Sequence, residues 1–310
     1  MVHLRRRSPF DPRATDAYRR WRDAKIKDYP PSAEALRVEI HTPGQPTPAE
    51  RAEIERLCRK TNMAVYAARS PSDSLPNPPS DPLSDKDRLK AFAGLFGLES
   101  LDANMLTDDD GVSSIMAVAE SSGQRSRYIP YTNHPIAWHT DGYYNPPHRQ
   151  VRSMILHCVV PAIEGGVNAL LDPEILYIRL REESPDLVAA LFRSDSMAIP
   201  ANDDDNRPEQ TGPVFSSDPE NGRLHMRYTH RTRSIAWQGE AAAAVVRLRA
   251  ILEAQDVPYL FHYRLEAGEG MICNNVLHTR TAFRDTPWQR RLLYRARFLE
   301  RVAGTTMEND

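Results

Sequence analysis

The run Trp138-His139-Thr140-Asp141-Gly142-Tyr143-Tyr144 holds the residue types best able to do chemistry. On a strand, His139 and Asp141 would share a face, because side chains alternate with period two. An imidazole nitrogen and a carboxylate oxygen would then converge on one point. That is two-thirds of a 2-His-1-carboxylate triad, the donor set that holds Fe(II) and leaves positions open for chemistry. His-x-Asp is common by chance, so the reading needs a third donor. His278 is the candidate: it ends the apolar run Met271–Leu277 just after a Gly-rich turn. Thirteen residues beyond it (291 − 278) stands Arg291, which shares a face of the expected strand Arg290–Leu299 with Arg295. Two inward arginines require anionic partners, because an unpaired buried charge costs roughly several kcal/mol. A ligand carboxylate suits a guanidinium fork; a charged outer face with local ion pairs would also fit the spacing.

The elements that must position these groups read as mainly β with flanking helices. Helices are expected over Ala14–Ile26, over Pro48 to about Lys60, and after Ser84-Asp85, where Leu89, Phe92, Leu95 and Phe96 make the apolar stripe and Gly97 the stop. From Ser113 onward short strands dominate: Ser113–Ala119, Arg127–Pro130, Ile136–Asp141, Val151–Val160 and Val167–Leu171. Pro173–Leu180, Ser184–Phe192 and Glu240–Gln255 read as helical insertions, the last alanine-rich. Val214–Ser216, Leu224–Tyr228 and Tyr259–Leu265 read as further strands, ahead of Met271–Leu277 and Arg290–Leu299. Strands interrupted by helices suggest a closed sandwich, not alternating βαβ units. The expected organisation is one domain over 1–310, with a helical and loop portion (1–112) packed on a core (113–300).

Composition excludes several classes. With 40 basic and 42 acidic residues among 310, the formal charge is −2, which argues against a general nucleic-acid binder. No apolar run approaches membrane-spanning length, and no apolar stretch follows the charged N-terminus as in a signal peptide, so a cytoplasmic protein is expected. Cys58, Cys158 and Cys273 are too scattered for a disulfide framework or a structural zinc site. The acidic loop 201–211 lacks the Gly and terminal Glu of an EF-hand, and no His-Glu-x-x-His supports a zinc hydrolase. The proline-rich loop 70–82 and the loop 201–211 are possible lids.

Several blocks together resemble the Fe(II)- and 2-oxoglutarate-dependent dioxygenases of the taurine dioxygenase (TauD/TfdA-like) family. They are Tyr131-Thr132 leading into His139-Thr140-Asp141, Glu164-Gly165-Gly166-Val167-Asn168, Asn274 through Phe283 around His278, and Arg290-Arg291-x-x-x-Arg295. The resemblance covers about Tyr131 to Phe298. It implies a double-stranded β-helix (a jelly roll of the clavaminate synthase-like type). His139, Asp141 and His278 would be the Fe(II) ligands, and Arg291 would pair with the distal carboxylate of 2-oxoglutarate. Asn168 stands where the family often has a Thr that touches the cosubstrate, and an amide can donate the same bond. Asn275 stands where Arg is frequent, a change expected to affect local support. The cosubstrates would be 2-oxoglutarate and O2, with succinate and CO2 released. Related halogenases have a small residue at this position that admits chloride, so Asp141 argues for hydroxylation, or an outcome such as desaturation or C–X cleavage.

The resemblance places Arg295 where taurine dioxygenase binds its sulfonate, so a small anionic or zwitterionic substrate is expected. Tyr131, Tyr143 and Asn145 are further substrate candidates. Trp138, Tyr131, Tyr143 and Tyr144 could instead cage a quaternary ammonium, as for a betaine, or line the barrel mouth as packing. The basic segment Arg223–Trp237 could close over an anion or remain an exposed loop. A metal-binding jelly roll without catalysis, a sensor or binder, is the alternative class. Homo-oligomerisation is possible.

Overall fold

The computed structural model describes residues 8–68, 82–103, 107–118, 123–202, 207–218, 222–231 and 235–307. Two facing sheets form the core. The larger uses β1 (Arg37–Glu39), β2 (Met63–Ala67), β3 (Ser113–Ile115), β5 (Ser153–Val160), β8 (Glu269–Cys273) and β10 (Leu292–Phe298). Their order is β1-β2-β8-β5-β10-β3, antiparallel except for the parallel β1–β2 edge. The smaller sheet uses β4 (Ile136–His139), β6 (Asn168–Leu171), β7 (Phe261–Tyr263) and β9 (Leu277–Arg280), in the order β7-β6-β9-β4, all antiparallel. Among the described residues no strand pairs one sheet with the other, so the sandwich is not closed into a barrel.

Strand β2 shows why the larger sheet is buried on both faces. Val65 and Met271 face Leu170 of the smaller sheet around a small hollow. Tyr66, one residue on, points the other way against Phe92, with ring centroids 4.8 Å apart. Its ring lies so close to β8 that a Cβ on Gly270 would fall 2.3 Å from it, so no side chain fits there. The flanking helix α3 (Lys86–Gly94) supplies Phe92 and is capped by Asp85, which accepts from Asp87 and Arg88 amides. Helix α2 (Pro48–Thr61) starts with a full capping box between Thr47 and Glu50, a feature that stabilises a helix by about 1 kcal/mol. Helix α1 (Thr15–Ile26) precedes both, so the three expected N-terminal helices form. The same N-terminal portion also supplies β1 and β2, which extend the larger sheet. Helices α4 (Pro173–Glu183), α5 (Pro185–Phe192) and α6 (Glu240–Glu253) lie in the long connection between β6 and β7.

Three expectations need correction. Arg127–Pro130 is not a strand: the chain turns through 3-10 segments at Gly123–Arg127 and Ile129–Tyr131, and Pro130 has no N–H for a ladder. The run from Met271 to His278 is not one strand. It leaves the larger sheet after Cys273 and enters the smaller at Leu277, with Asn275 left-handed at φ 52° between them. The strand expected over Ile136–Asp141 ends at His139, and Asp141 stands in the following turn. Of the possible lids, residues 70–81 and 203–206 lie outside the described residues.

Candidate metal and cosubstrate site

His139 and His278 face each other directly across the β4–β9 ladder, with ring centroids 4.2 Å apart. Each Nδ1 lies 2.9 Å from the carbonyl two residues earlier, Ala137 O and Val276 O. Each ring is thereby fixed through Nδ1, which leaves Nε2 for the space between them, the usual arrangement of metal-ligating imidazoles. Asp141 reaches the same space from its turn, with Oδ1 3.9 Å from His139 Nε2. Donor atoms of the three residues all lie within 4.8 Å of one another.

The convergence of His139 with Asp141 therefore does not come from strand pleating. It comes from a clamp on the turn. Asn275 Oδ1 accepts from the Asp141 amide at 2.8 Å, and its Nδ2 donates to Asp141 O and Val151 O at 2.9 and 2.6 Å. Gly142 completes the turn at φ +65°; a Cβ there would sit 2.5 Å from the Val151 side chain. Asn275, noticed in the sequence only as a departure from the family pattern, is the residue that ties the two ligand-bearing segments together.

Protonation suits a divalent cation. Burial lowers His139 to about 3, helped by the facing His278, and burial also lowers His278. Burial opposes ionisation of Asp141, but Arg295 and Arg297 beside it hold its carboxyl well below the usual range. The cluster thus offers two neutral imidazoles and one carboxylate, the forms that bind metal. Arg295 Nη1 is 3.2 Å from Asp141 Oδ1, while the buried Oδ2 has no hydrogen-bond partner among the described residues. An unpartnered, buried, ionised oxygen aimed into a three-donor cluster fits a metal ion.

On one flank lies Arg291, just before β10 and 4% exposed. Its amide donates to Asp285 Oδ1 at 3.0 Å and its guanidinium lies 4.9 Å from the Phe283 ring centre. Among the described residues Nη1 is buried without a hydrogen-bond partner, and burial lowers the group to about 10. Arg280, two residues past His278, lies 4.8 Å from the centre of the same ring. It donates to the carbonyls of Pro130 (3.3 Å), Thr132 (2.8 Å) and His134, holding the loop that leads into β4. Asn168 is buried on β6, on the face of Leu170, which pairs with His278. Its Nδ2 is 3.5 Å from Tyr263 O, beside the small hollow between the sheets. Two buried guanidiniums, a carboxamide and an apolar hollow fit the distal half of a dicarboxylate such as 2-oxoglutarate.

On the other flank the four substrate candidates separate. Arg295 is engaged with Asp141. Tyr131 is 1% exposed, and its ring lies under the Arg125 guanidinium at 5.3 Å. Asn145 Nδ2 donates to Asp102 Oδ1 (3.1 Å) and Arg149 O (2.9 Å), so its amide braces the turn. Tyr143 is half-buried: its carbonyl accepts from Arg227 Nε at 2.8 Å, and its hydroxyl is 3.4 Å from Arg231 Nη1. Sequence reading missed Arg297, 3% exposed, which pairs with Asp102 at 2.7 Å and donates to the Tyr144 hydroxyl at 3.1 Å. Its only signal was being two residues past Arg295. Among the described residues, no helix is long and apolar enough to cross a membrane.

The pattern of the taurine catabolism dioxygenase TauD, TfdA family matches residues 25–297. The chain belongs to this family. It is 31% identical over 173 residues to a uridine-5'-phosphate dioxygenase of Amycolatopsis sp. That match takes in 53% of this chain and 60% of the relative, less than two-thirds of the relative's length. A Streptomyces sp uridine-5'-phosphate dioxygenase is 28% identical over 211 residues, 65% of this chain and 74% of that one. Among solved structures, asparagine oxygenase superposes with a TM-score of 0.58 at 17% identity, covering 82% of this chain and 78% of that one. A taurine dioxygenase from Burkholderia xenovorans gives 0.53 at 18%, covering 84% and 85%. At these identities the likeness shows the fold, and the two-sheet core agrees with the jelly roll expected of the family.

Proposed function

We propose that this TauD-family protein is an Fe(II)- and 2-oxoglutarate-dependent dioxygenase that oxidises a C–H bond of a small anionic substrate, a nucleoside 5'-phosphate by class. The observation that carries the reading is the three-donor cluster with its unpartnered Asp141 Oδ2. His139, Asp141 and His278 would hold the iron. With 2-oxoglutarate and O2 the metal supplies oxidation of the C–H bond, with release of succinate and CO2.

The chain's own groups bind and orient. Arg291 takes the distal carboxylate with its free Nη1, and Asn168 lies beside the hollow that would accept the carbon chain. Arg280 fixes the loop before β4. Asn275 keeps Asp141 in reach of both imidazoles, and Arg295 neutralises that carboxylate and faces the substrate side. The substrate class rests on the two uridine-5'-phosphate dioxygenases and on the cationic surroundings of the aromatic residues. Arg231 stands beside Tyr143, Arg297 beside Tyr144 and Arg125 over Tyr131, an environment hostile to a quaternary ammonium.

Anaerobic addition of Fe(II) and 2-oxoglutarate is expected to produce a weak visible charge-transfer band. Succinate formation above the substrate-free rate is expected with uridine 5'-phosphate and not with taurine, amino acids or betaines. No band and no 2-oxoglutarate turnover in protein with intact metal would exclude the oxygenase. A band with stimulation by a betaine alone would retain the oxygenase and exclude the substrate class.

A further inference from the structure

Resting on that reading, we infer that Arg231, with the Tyr143 hydroxyl, forms the subsite that reads the phosphate monoester of the substrate. The placement follows from register. His139 forms an antiparallel bridge with Thr229, flanked by bonds from the Thr140 amide to Tyr228 O (3.0 Å) and from the His230 amide to Trp138 O (2.8 Å). Residues directly opposite on antiparallel strands project to the same face. Thr229 therefore shares the face of the metal-site imidazole, and Arg231 stands two residues on, its amide donating to Thr229 Oγ1 at 3.5 Å. Tyr143 arrives from the other direction, two residues beyond Asp141. The two meet where Arg231 Nη1 lies 3.4 Å from the Tyr143 hydroxyl.

The charge arrangement at this edge singles out Arg231. Arg227 is consumed by backbone carbonyls: Tyr143 O at 2.8 Å, Met197 O at 3.1 Å and Gln210 O at 3.0 Å. Arg295 is paired with Asp141 and Arg297 with Asp102. Arg231 is exposed and, among the described residues, has no carboxylate partner. Its carbonyl takes a contact of 3.4 Å from Arg249, so a neighbouring guanidinium orients its backbone and adds positive potential. A cation beside Tyr143, with no carboxylate partner among the described residues and coupled to a phenol donor, can give a phosphate monoester two charge-assisted hydrogen bonds. The outer end of a nucleotide then lies against Arg231 and its remainder extends along Tyr143 toward the iron ligands.

The test is binding, read without turnover. Protein loaded anaerobically with Fe(II) and 2-oxoglutarate is titrated with uridine 5'-phosphate, uridine and phenyl phosphate. The visible band and calorimetry report Kd for the native chain, Arg231→Gln, Arg231→Lys and Tyr143→Phe. The native protein is expected to bind uridine 5'-phosphate at least ~10-fold tighter than uridine, as charged hydrogen bonds supply. Arg231→Gln is expected to erase that preference and leave the uridine and 2-oxoglutarate Kd values unchanged. Arg231→Lys should restore part of the preference, and Tyr143→Phe should remove a smaller part. A preference that survives Arg231→Gln would overturn the subsite while leaving the substrate class intact. Equal native affinity for uridine and its phosphate would overturn the subsite alone. No response to any nucleotide, with a normal 2-oxoglutarate band, would overturn the substrate class and the subsite's ligand together.

Discussion

Two buried charge clusters in this molecule are built on opposite plans. The first ties the chain ends to the helical insertion. Lys25 of α1 meets Asp172 Oδ2 at 2.7 Å and also pairs with Glu174 at the start of α4. Tyr29 and Asn62 donate to the same Asp172 at 3.2 and 2.9 Å, and Arg301 donates to Asn62 at 2.7 Å. Arg223 reaches the carbonyls of Thr305 and Thr306. Charges there answer each other within the chain. The second cluster surrounds His139, Asp141 and His278. Arg280, two residues past His278, and Arg291 are buried against the Phe283 ring, and among the described residues no carboxylate bonds either guanidinium and Asp141 Oδ2 lacks a hydrogen-bond partner. A closed cluster serves the fold. An open one leaves charges over, as the proposed binding of a cation and a dianion from outside the chain requires.

Breaking the open cluster is expected to give the largest effect. Asp141→Ala removes a metal donor and strands Arg295 without its anion. Metal affinity should fall by more than ~100-fold, beyond the usual effect of removing a residue that merely supports a ligand, and turnover should become undetectable. Equilibrium dialysis with Fe(II) or Mn(II) measures it, and stoichiometric metal at micromolar concentration in this variant would refute the assignment.

The closed cluster predicts a loss of a different kind. Lys25→Met leaves Asp172 and Glu174 buried beside each other with their shared cation gone. Breaking a buried pair from one side costs about 3–5 kcal/mol, readable as a lower urea midpoint. The folded fraction should keep its native Kd for 2-oxoglutarate. A variant of native stability that loses 2-oxoglutarate affinity would invert the comparison.

Arg291→Gln tests the open cluster from the cosubstrate side. Exchanging the guanidinium for a neutral amide should weaken 2-oxoglutarate binding by ~10- to 100-fold, the range for a hydrogen bond to a charged group. Metal affinity in the absence of 2-oxoglutarate should hold. Because, among the described residues, no carboxylate hydrogen-bonds the buried guanidinium, metal-free stability should be unchanged or slightly higher, and a marked loss of stability would mean that Arg291 has a structural partner.

Acid separates the clusters by their histidines. His139 belongs to the open cluster and is lowered by burial to about 3. His225, lowered by burial and by Arg301 and Arg152 to about 4, lies beside the closed one. Both stay neutral in the fold while an unfolded imidazole takes a proton near 6.5. Between those values the unfolded chain binds more protons, so their contribution is complete above about pH 6.5 and declines as pH falls through about 4 toward about 3. Mn(II) should raise the urea midpoint at both pH values without changing the pH slope, because His139 is already neutral in the metal-free fold at pH 7 and 5. Urea midpoints at pH 7 and 5, with and without metal, read this. A slope that differs between the two conditions would mean that a metal-site imidazole takes up a proton in the metal-free fold.

How much of this was legible in the sequence depended on the range of the interaction. The Pro48 start of α2, the buried Leu89 and Phe92 of α3 and the apolar run of β5 are written within a few neighbours and appear where expected, whereas α3 ends at Gly94, before the expected stop at Gly97, and leaves Leu95 exposed beyond it. His139, Asp141, His278 and Arg291 were singled out by residue type, spacing and the family resemblance, and the fold brings the first three within 4.8 Å of one another. The break between β8 and β9 was hidden in a continuous apolar run, since Asn275 is explained only by partners at Asp141 and Val151, 134 and 124 residues away. Arg280 and Arg297 were invisible for the same reason: their acceptors are loop carbonyls before β4, and Asp102. The bridge that brings Thr229 opposite His139 has no local signature at all.

That hidden clamp supports the smallest prediction and the finest test. Asn275→Gly keeps the left-handed backbone, because glycine adopts φ near +50° without strain, but removes all three side-chain bonds to Asp141 and Val151. The donor types at the metal are untouched. If Asn275 only completes a turn between two sheets, metal binding should be native and stability slightly reduced. If it holds the carboxylate in register with the imidazoles, metal affinity should fall by about 10-fold, the lower end of the range for residues that orient ligands. The 2-oxoglutarate Kd measured at saturating metal should then change much less, since Arg291 is not tied to this turn. Asn275→Ala adds a backbone penalty to the same loss, so a larger drop in stability with an equal drop in metal affinity would separate strain from positioning. Unchanged metal affinity in both variants would show that the turn at Gly142 alone suffices to place Asp141, and that the open cluster needs no brace from the segment between β8 and β9.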